Sequence, residues 1–129
     1  PDGDRVIPLA NQLARQYELV VATQDWHPAD HGSFAENHPG GVPGEVVDLA
    51  GLPQLLWPAH CVQDTAGADR HPDLDRSRIT RVFQKGTERD VDSYSGFFDN
   101  GRRRATGLGD YLRQQGVDGV DVCGLATDY

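Results

Sequence analysis

The sequence predicts an α/β domain in which a mostly parallel sheet lies between helical layers. Three observations predict it. Helix-type and strand-type patterns alternate along the chain, the strand candidates are short runs suited to parallel pairing, and polar residues of metal-binding type gather just past a strand's carboxyl end. Alternation of this kind is economical only as a three-layer α/β/α sheet, and open α/β sheets collect their ligands at that strand end. With 129 residues, 37% of them hydrophobic, the chain supports one core, read as a single domain over 1–129.

The elements follow in order. Val6, Leu9, Ala10, Leu13, Ala14 and Tyr17 recur at spacings of three and four, which predicts an amphipathic helix. Pro8 is tolerated only in its first turn, so the regular helix starts at residue 6 or 7. Residues 18–23 form a β-branched run that reads as a buried parallel strand. Residues 25–78 are rich in Gly, Pro, Asp and His with little periodicity, too long for an idle connection and typical of a binding region. A second strand is predicted over 79–84, then a polar loop over 87–104. Thr106 can cap a helix through Leu108, Tyr111 and Leu112 to about Gln115, with Gly116 as its stop. A last strand is predicted over 120–125.

Charge narrows the partners. A net charge of -8 and a pI near 4.9 disfavour nucleic acid and anionic membrane surfaces, whose attraction for the chain would be reversed in sign. No apolar run reaches the roughly 20 residues a bilayer span needs, and no secretory leader is evident, so a cytoplasmic location is the expectation. Arg102, Arg103 and Arg104 read as a solvated patch rather than an anion site. Cys61 and Cys123 form neither a metal-type doublet nor a disulfide framework, and both read as reduced thiols. The chain holds no Met and opens on Pro1-Asp2-Gly3-Asp4, which reads as a segment of a longer protein.

Asp25 and His27, two residues apart beyond the first strand, can converge on one divalent ion, and a later His60 can complete the face while leaving positions for water or substrate. The competing reading makes Asp25 a backbone cap and His27 a turn residue. Position at a strand's carboxyl end brings the two readings level.

Five segments in order, Asp25-Trp26-His27-Pro28-Ala29-Asp30-His31-Gly32-Ser33-Phe34, Trp57-Pro58-Ala59-His60-Cys61, Gln84-Lys85-Gly86, Asp92-Ser93-Tyr94-Ser95-Gly96-Phe97 and Cys123-Gly124-Leu125-Ala126-Thr127-Asp128-Tyr129, resemble the nicotinamidase/pyrazinamidase family of isochorismatase-like cysteine hydrolases. The resemblance covers nearly the whole chain. It implies a Rossmann-like three-layer fold, here without its first strand and its C-terminal part, and an amidohydrolase that converts nicotinamide to nicotinate and ammonia in NAD salvage. By the family's pattern Asp25, His27 and His60 ligate one divalent metal, zinc first with iron or manganese as alternatives, and His31 and Ser33 act as outer-sphere partners. Lys85 matches the catalytic lysine, whose ammonium would favour a neighbouring thiolate. The nucleophilic Cys would follow Tyr129 and the catalytic Asp would precede the first helix, so neither Cys61 nor Cys123 takes that role. Leu125-Ala126 matches a non-proline cis peptide that would aim the Ala126 amide at an oxyanion. Trp57, Tyr94, Leu125 and Tyr129 match positions lining the substrate pocket.

The partner so implied is a small-molecule amide, pyrazinamide-type amides included, and a homo-oligomer is compatible with the chain. Rival readings are a metal-free isochorismatase-like or carbamoyl-amide hydrolase, a noncatalytic fragment that retains a metal site, and a hydrolase using only metal-bound hydroxide.

Overall fold

A computed structural model describes residues 2–127. A 3-10 turn leads into helix α1, Val6–Ala14, with Pro8 in its first turn where the ring disturbs no intrahelical bond. None of the α1 side chains is fully buried, and Leu9 is 52% exposed, so the amphipathic stripe is only partly covered among the described residues.

Strand β1, Val20–Asp25, pairs in parallel with a later strand, Ile79–Lys85, in a register that sets Asp25 opposite Lys85. Both strands run a little further than the pattern predicts, to the charged residues at their carboxyl ends. Those two side chains therefore share one edge, and this edge positions the site.

The loop predicted over 25–78 contains a hairpin that the periodicity did not reveal. Strand β2, Val46–Leu49, pairs antiparallel with β3, Leu52–Leu55, and the Ile79–Lys85 strand is thus β4 in chain order. The two-residue connection, Ala50 and Gly51, has φ of 50° and 85°. Two successive positive φ values give the turn whose twist suits a hairpin, and they strain Ala50 but not Gly51. Asp48 Oδ1 accepts the Gly51 amide at 3.0 Å, which supports the turn. Pro53 falls in a short two-stranded pair, where its missing N–H is tolerated.

Helix α2, Leu108–Gln114, starts where expected, with the Leu108 amide donating to Thr106 Oγ1 at 3.2 Å, and ends at a left-handed Gly116. It packs on β4 through Phe83 and Tyr111, ring centroids 5.5 Å apart. The fully buried apolar side chains are Phe34 and Leu56, with Phe83, Val91 and Leu108 close behind.

The strand predicted over 120–125 is not formed. Val120, Val122 and Leu125 are 54%, 77% and 71% exposed, and the segment pairs with neither β1 nor β4. Strand propensity is realised only against a partner edge, which these residues do not meet among the described ones. The Leu125–Ala126 peptide is trans, and Ala126 has a φ of 51°. A non-proline cis bond costs about 3 kcal/mol and persists only where packing over-determines it, and the exposed turn supplies no such packing.

Candidate metal centre

Asp25 and Lys85 close the carboxyl edge of the parallel pair and form an ion pair, with side chains 30% and 16% exposed. Lys85 Nζ also donates to the Ser93 carbonyl at 2.8 Å, so the ammonium ties the strand end to the loop carrying Asp92 and Tyr94. Beyond β1 the chain does not turn away. His27 donates its amide to the Cys61 carbonyl at 3.0 Å and its carbonyl accepts the Gln63 amide at 2.8 Å, a parallel bridge that brings the His60 segment alongside residue 27. A second bridge joins Phe34 to Trp57.

These bridges assemble the expected cluster. Asp25, His27 and His60 each offer one ligand atom, all within 4.8 Å of one another, and the two rings lie 5.0 Å apart at 74°. Their hydrogen bonds decide which nitrogen is available. His27 Nδ1 lies 2.8 Å from the Gly86 carbonyl and His60 Nδ1 lies 2.8 Å from the Pro58 carbonyl. A carbonyl only accepts, so both Nδ1 atoms carry the proton and both Nε2 lone pairs are left for a cation, the usual outer-sphere arrangement of ligating histidines. Burial pushes the His27 imidazole below its ordinary pKa, against the opposing pull of the Gly86 carbonyl and of Asp92 and Asp25, which favours the neutral, ligating form. One carboxylate with two neutral imidazoles and open positions suits zinc, iron or manganese.

Gly86 is required by this geometry. Its φ is 62°, and a Cβ there would lie 2.6 Å from His27 Nδ1. Only glycine lets the carbonyl come close enough to hold the ring. The Lys85-Gly86 pair is visible in the sequence, but the role of Gly86 is not.

Behind this set lies a second cluster of the same composition. His27, His31 and Asp92 are all buried, with ligand atoms again within 4.8 Å. The His31 ring lies 4.4 Å from that of His27, tilted by 45°. Its Nδ1 accepts the Ser33 amide at 3.2 Å and lies 2.7 Å from Ser33 Oγ, so the neutral ring carries its proton on Nε2. That Nε2 is buried without a partner at hydrogen-bond geometry. Burial, reinforced by His27 and opposed by Asp92 and the Val91 backbone, lowers the His31 pKa to about 4, which keeps the ring neutral at ordinary pH. Ser33 is fully buried beneath it. Asp92, quoted above only as part of a motif, proves to be the buried carboxylate of this second cluster.

The aromatic pair also meets. Trp57 Nε1 donates to Tyr94 Oη at 3.3 Å, and Tyr94 directly follows Ser93, whose carbonyl accepts Lys85 Nζ. Leu125 is instead set against Gly3 and 71% exposed, and Ala126 beside it is exposed too. Tyr129 lies outside the described residues. Cys61, beside His60, is half-buried, and burial first, then Asp25, raises its thiol pKa while Lys85 opposes. It is therefore held as a thiol rather than a thiolate.

Two histidines and a carboxylate gathered beside a lysine at a parallel β-edge form a candidate metal site in an α/β protein, and comparison with known proteins narrows the class. No protein-family model matches the chain. It is 52% identical over 133 residues to the nicotinamidase of Escherichia coli, an alignment covering 100% of this chain and 62% of that protein. A solved Acinetobacter baumanii nicotinamidase superposes with a TM-score of 0.95 at 48% identity, over 99% of this chain and 62% of that one. The yeast nicotinamidase bound to the inhibitor nicotinaldehyde gives 0.88 at 30% identity, over 100% and 67%. A pyrazinamidase of Pyrococcus horikoshii in complex with zinc gives 0.72 at 38% identity, over 100% and 61%. The chain belongs to the nicotinamidase family. It spans about 62% of the length of the E. coli relative.

Proposed function

We propose that the full-length protein is a metal-dependent nicotinamidase, a cysteine amidohydrolase that converts nicotinamide to nicotinate and ammonia, with pyrazinamide-type amides as further substrates, and that it serves NAD salvage in the cytoplasm. Residues 1–129 form most of its single catalytic domain. The observation that carries this reading is the pair of carbonyl-anchored imidazoles, His27 and His60, converging with Asp25 beside Lys85.

In this reading Asp25, His27 and His60 hold one divalent ion, zinc in the first instance as in the P. horikoshii relative's complex. The ion would supply a Lewis-acid contact that orients the substrate's ring nitrogen. The chain's own residues do the rest. Trp57 and Tyr94 offer flat walls to a planar ring. Asp25 would hold the ion together with the histidines, and its ion pair keeps Lys85 at the reaction edge. There its positive charge lowers the cost of a thiolate on the family's Cys, the residue expected after Tyr129. The family's Asp takes the thiol proton, and the thiolate forms a C–S bond to the carboxamide carbon, with negative charge passing to the carboxamide oxygen beside the Lys85 ammonium. The C–N bond then breaks, ammonia leaves with the proton that the family's Asp, expected before the first helix, took from the thiol, and water hydrolyses the thioester to nicotinate and free thiol. His31 and Ser33 keep the His27 ring in place from behind.

The test is ammonia release from nicotinamide by the full-length protein, with and without chelator. Activity that falls with bound metal and returns on adding zinc supports the proposal. Full activity in a metal-free protein favours the isochorismatase-like alternative, and no ammonia release under any metal removes the assignment.

A further inference from the structure

Gln54 is a buried amide in a short hairpin, in a place where a leucine would be the ordinary choice. Its strand, β3, alternates outward and inward, and Gln54 is the one residue of the four that is fully covered, at 3% exposure. Burying an amide is unfavourable unless its hydrogen bonds are satisfied, so its partners show what its presence is for.

Its Nε2 faces three acceptors: the Leu55 carbonyl at 2.7 Å, Tyr94 Oη at 3.2 Å and Asp92 Oδ2 at 3.4 Å. A carbonyl and a carboxylate both demand a donor, which sets the amide's orientation. Two protons serve three acceptors, so one is committed to Leu55 and the other is shared between the phenol and the carboxylate. Tyr94 Oη in turn accepts the Trp57 indole N–H at 3.3 Å. Asp92 Oδ1 accepts the Ser93 amide at 2.7 Å, and the Ser93 carbonyl accepts Lys85 Nζ at 2.8 Å. One amide group therefore stands between the aromatic wall and the buried carboxylate that faces His27 and His31.

We propose that Gln54 is a positioning residue that couples the aromatic wall formed by Trp57 and Tyr94 to the Asp92 carboxylate behind the metal histidines. The inference rests on the nicotinamidase reading for its substrate, a planar pyridine carboxamide. Seating a ring against Trp57 and Tyr94 and seating a cation on His27 then draw on the same hydrogen-bond chain, and coupling of this kind is reciprocal.

The test uses full-length protein carrying Gln54→Met, which keeps the side chain's length and removes the donor. The expected result is a KM for nicotinamide raised about tenfold with kcat within about twofold, and zinc affinity by chelator competition lowered about tenfold. In that background Tyr94→Phe adds almost nothing, whereas in the parent it raises KM several-fold. The proposal is overturned if zinc affinity and KM stay within about twofold of the parent, if kcat falls in place of KM, or if the two substitutions multiply. Should Gln54→Met fail to fold, a double-mutant cycle of Tyr94→Phe with Asp92→Asn on zinc affinity reads the same chain, and additive effects there refute the coupling. Zinc binding is measured without turnover. Absence of ammonia release by the parent therefore removes the assigned reaction and leaves the coupling decided separately.

Discussion

The two histidine–carboxylate clusters that share His27 have the same composition and different chemistry. In the outer set, Asp25, His27 and His60, both rings give their Nδ1 proton to a backbone carbonyl and turn a lone pair toward the common centre. In the inner set, His31 receives a backbone N–H on Nδ1 and so carries a proton, not a lone pair, on its buried Nε2. Exposure differs too, since His60 is open to solvent and the inner three are buried. What decides whether such a cluster binds a cation is the second partner of each ring, because that partner selects the tautomer.

The largest effect expected from breaking this contrast is at the shared residue. His27→Ala removes a proposed ligand from the outer set and should lower zinc affinity by more than about a hundredfold. Metal content after dialysis measures it, and stoichiometric zinc in the variant would show that the outer set is not the site.

Gly86→Ala attacks the anchor of the same ring. A Cβ would strike His27, and the residue would be held at a φ of 62°, together costing at least about 2 kcal/mol. A lowered melting temperature with weaker zinc binding is the expected outcome, and an unchanged melt contradicts the fit.

The inner set is sharpened by pH. His31 stays neutral in the folded protein down to about pH 4, whereas in the unfolded chain it gains a proton near 6.5. Between those values the unfolded state binds more protons, so stability of the metal-free protein falls as pH drops from about 6.5 towards 4. Urea unfolding at several pH values measures this slope. In His31→Gln it should flatten, while zinc affinity at about pH 7.5 changes by less than about tenfold, the smallest of the three effects. Loss of zinc as severe as in His27→Ala would make His31 a ligand.

Much of this was legible along the chain. The first and second predicted strands, the Thr106 start and the Gly116 stop of α2 all rest on local rules, and the structure keeps them within two residues. The hairpin over 46–55 was hidden because its turn, Ala50-Gly51, lacks the Asn-Gly or Asp-Gly signal, and Pro53 argues against a strand. The segment over 120–125 erred the other way, since β-rich composition states a preference and not a partner. Asp25, His27 and His60 could be suspected from residue type and position, but Gln54, Gly86 and the difference between His31 and His60 could not.

Residue chemistry alone determined the periodic helix, the parallel strand runs, the acidic surface and the inventory of possible ligands. These properties are carried by each residue and its near neighbours. Tertiary structure decided which histidine lends a lone pair and which a proton, because that choice belongs to the Gly86 and Pro58 carbonyls and to the Ser33 amide, and one of these reaches its ring from 59 positions away. A side chain's donor pattern is set by whatever polar group stands opposite it, and only the folded chain brings that group into place.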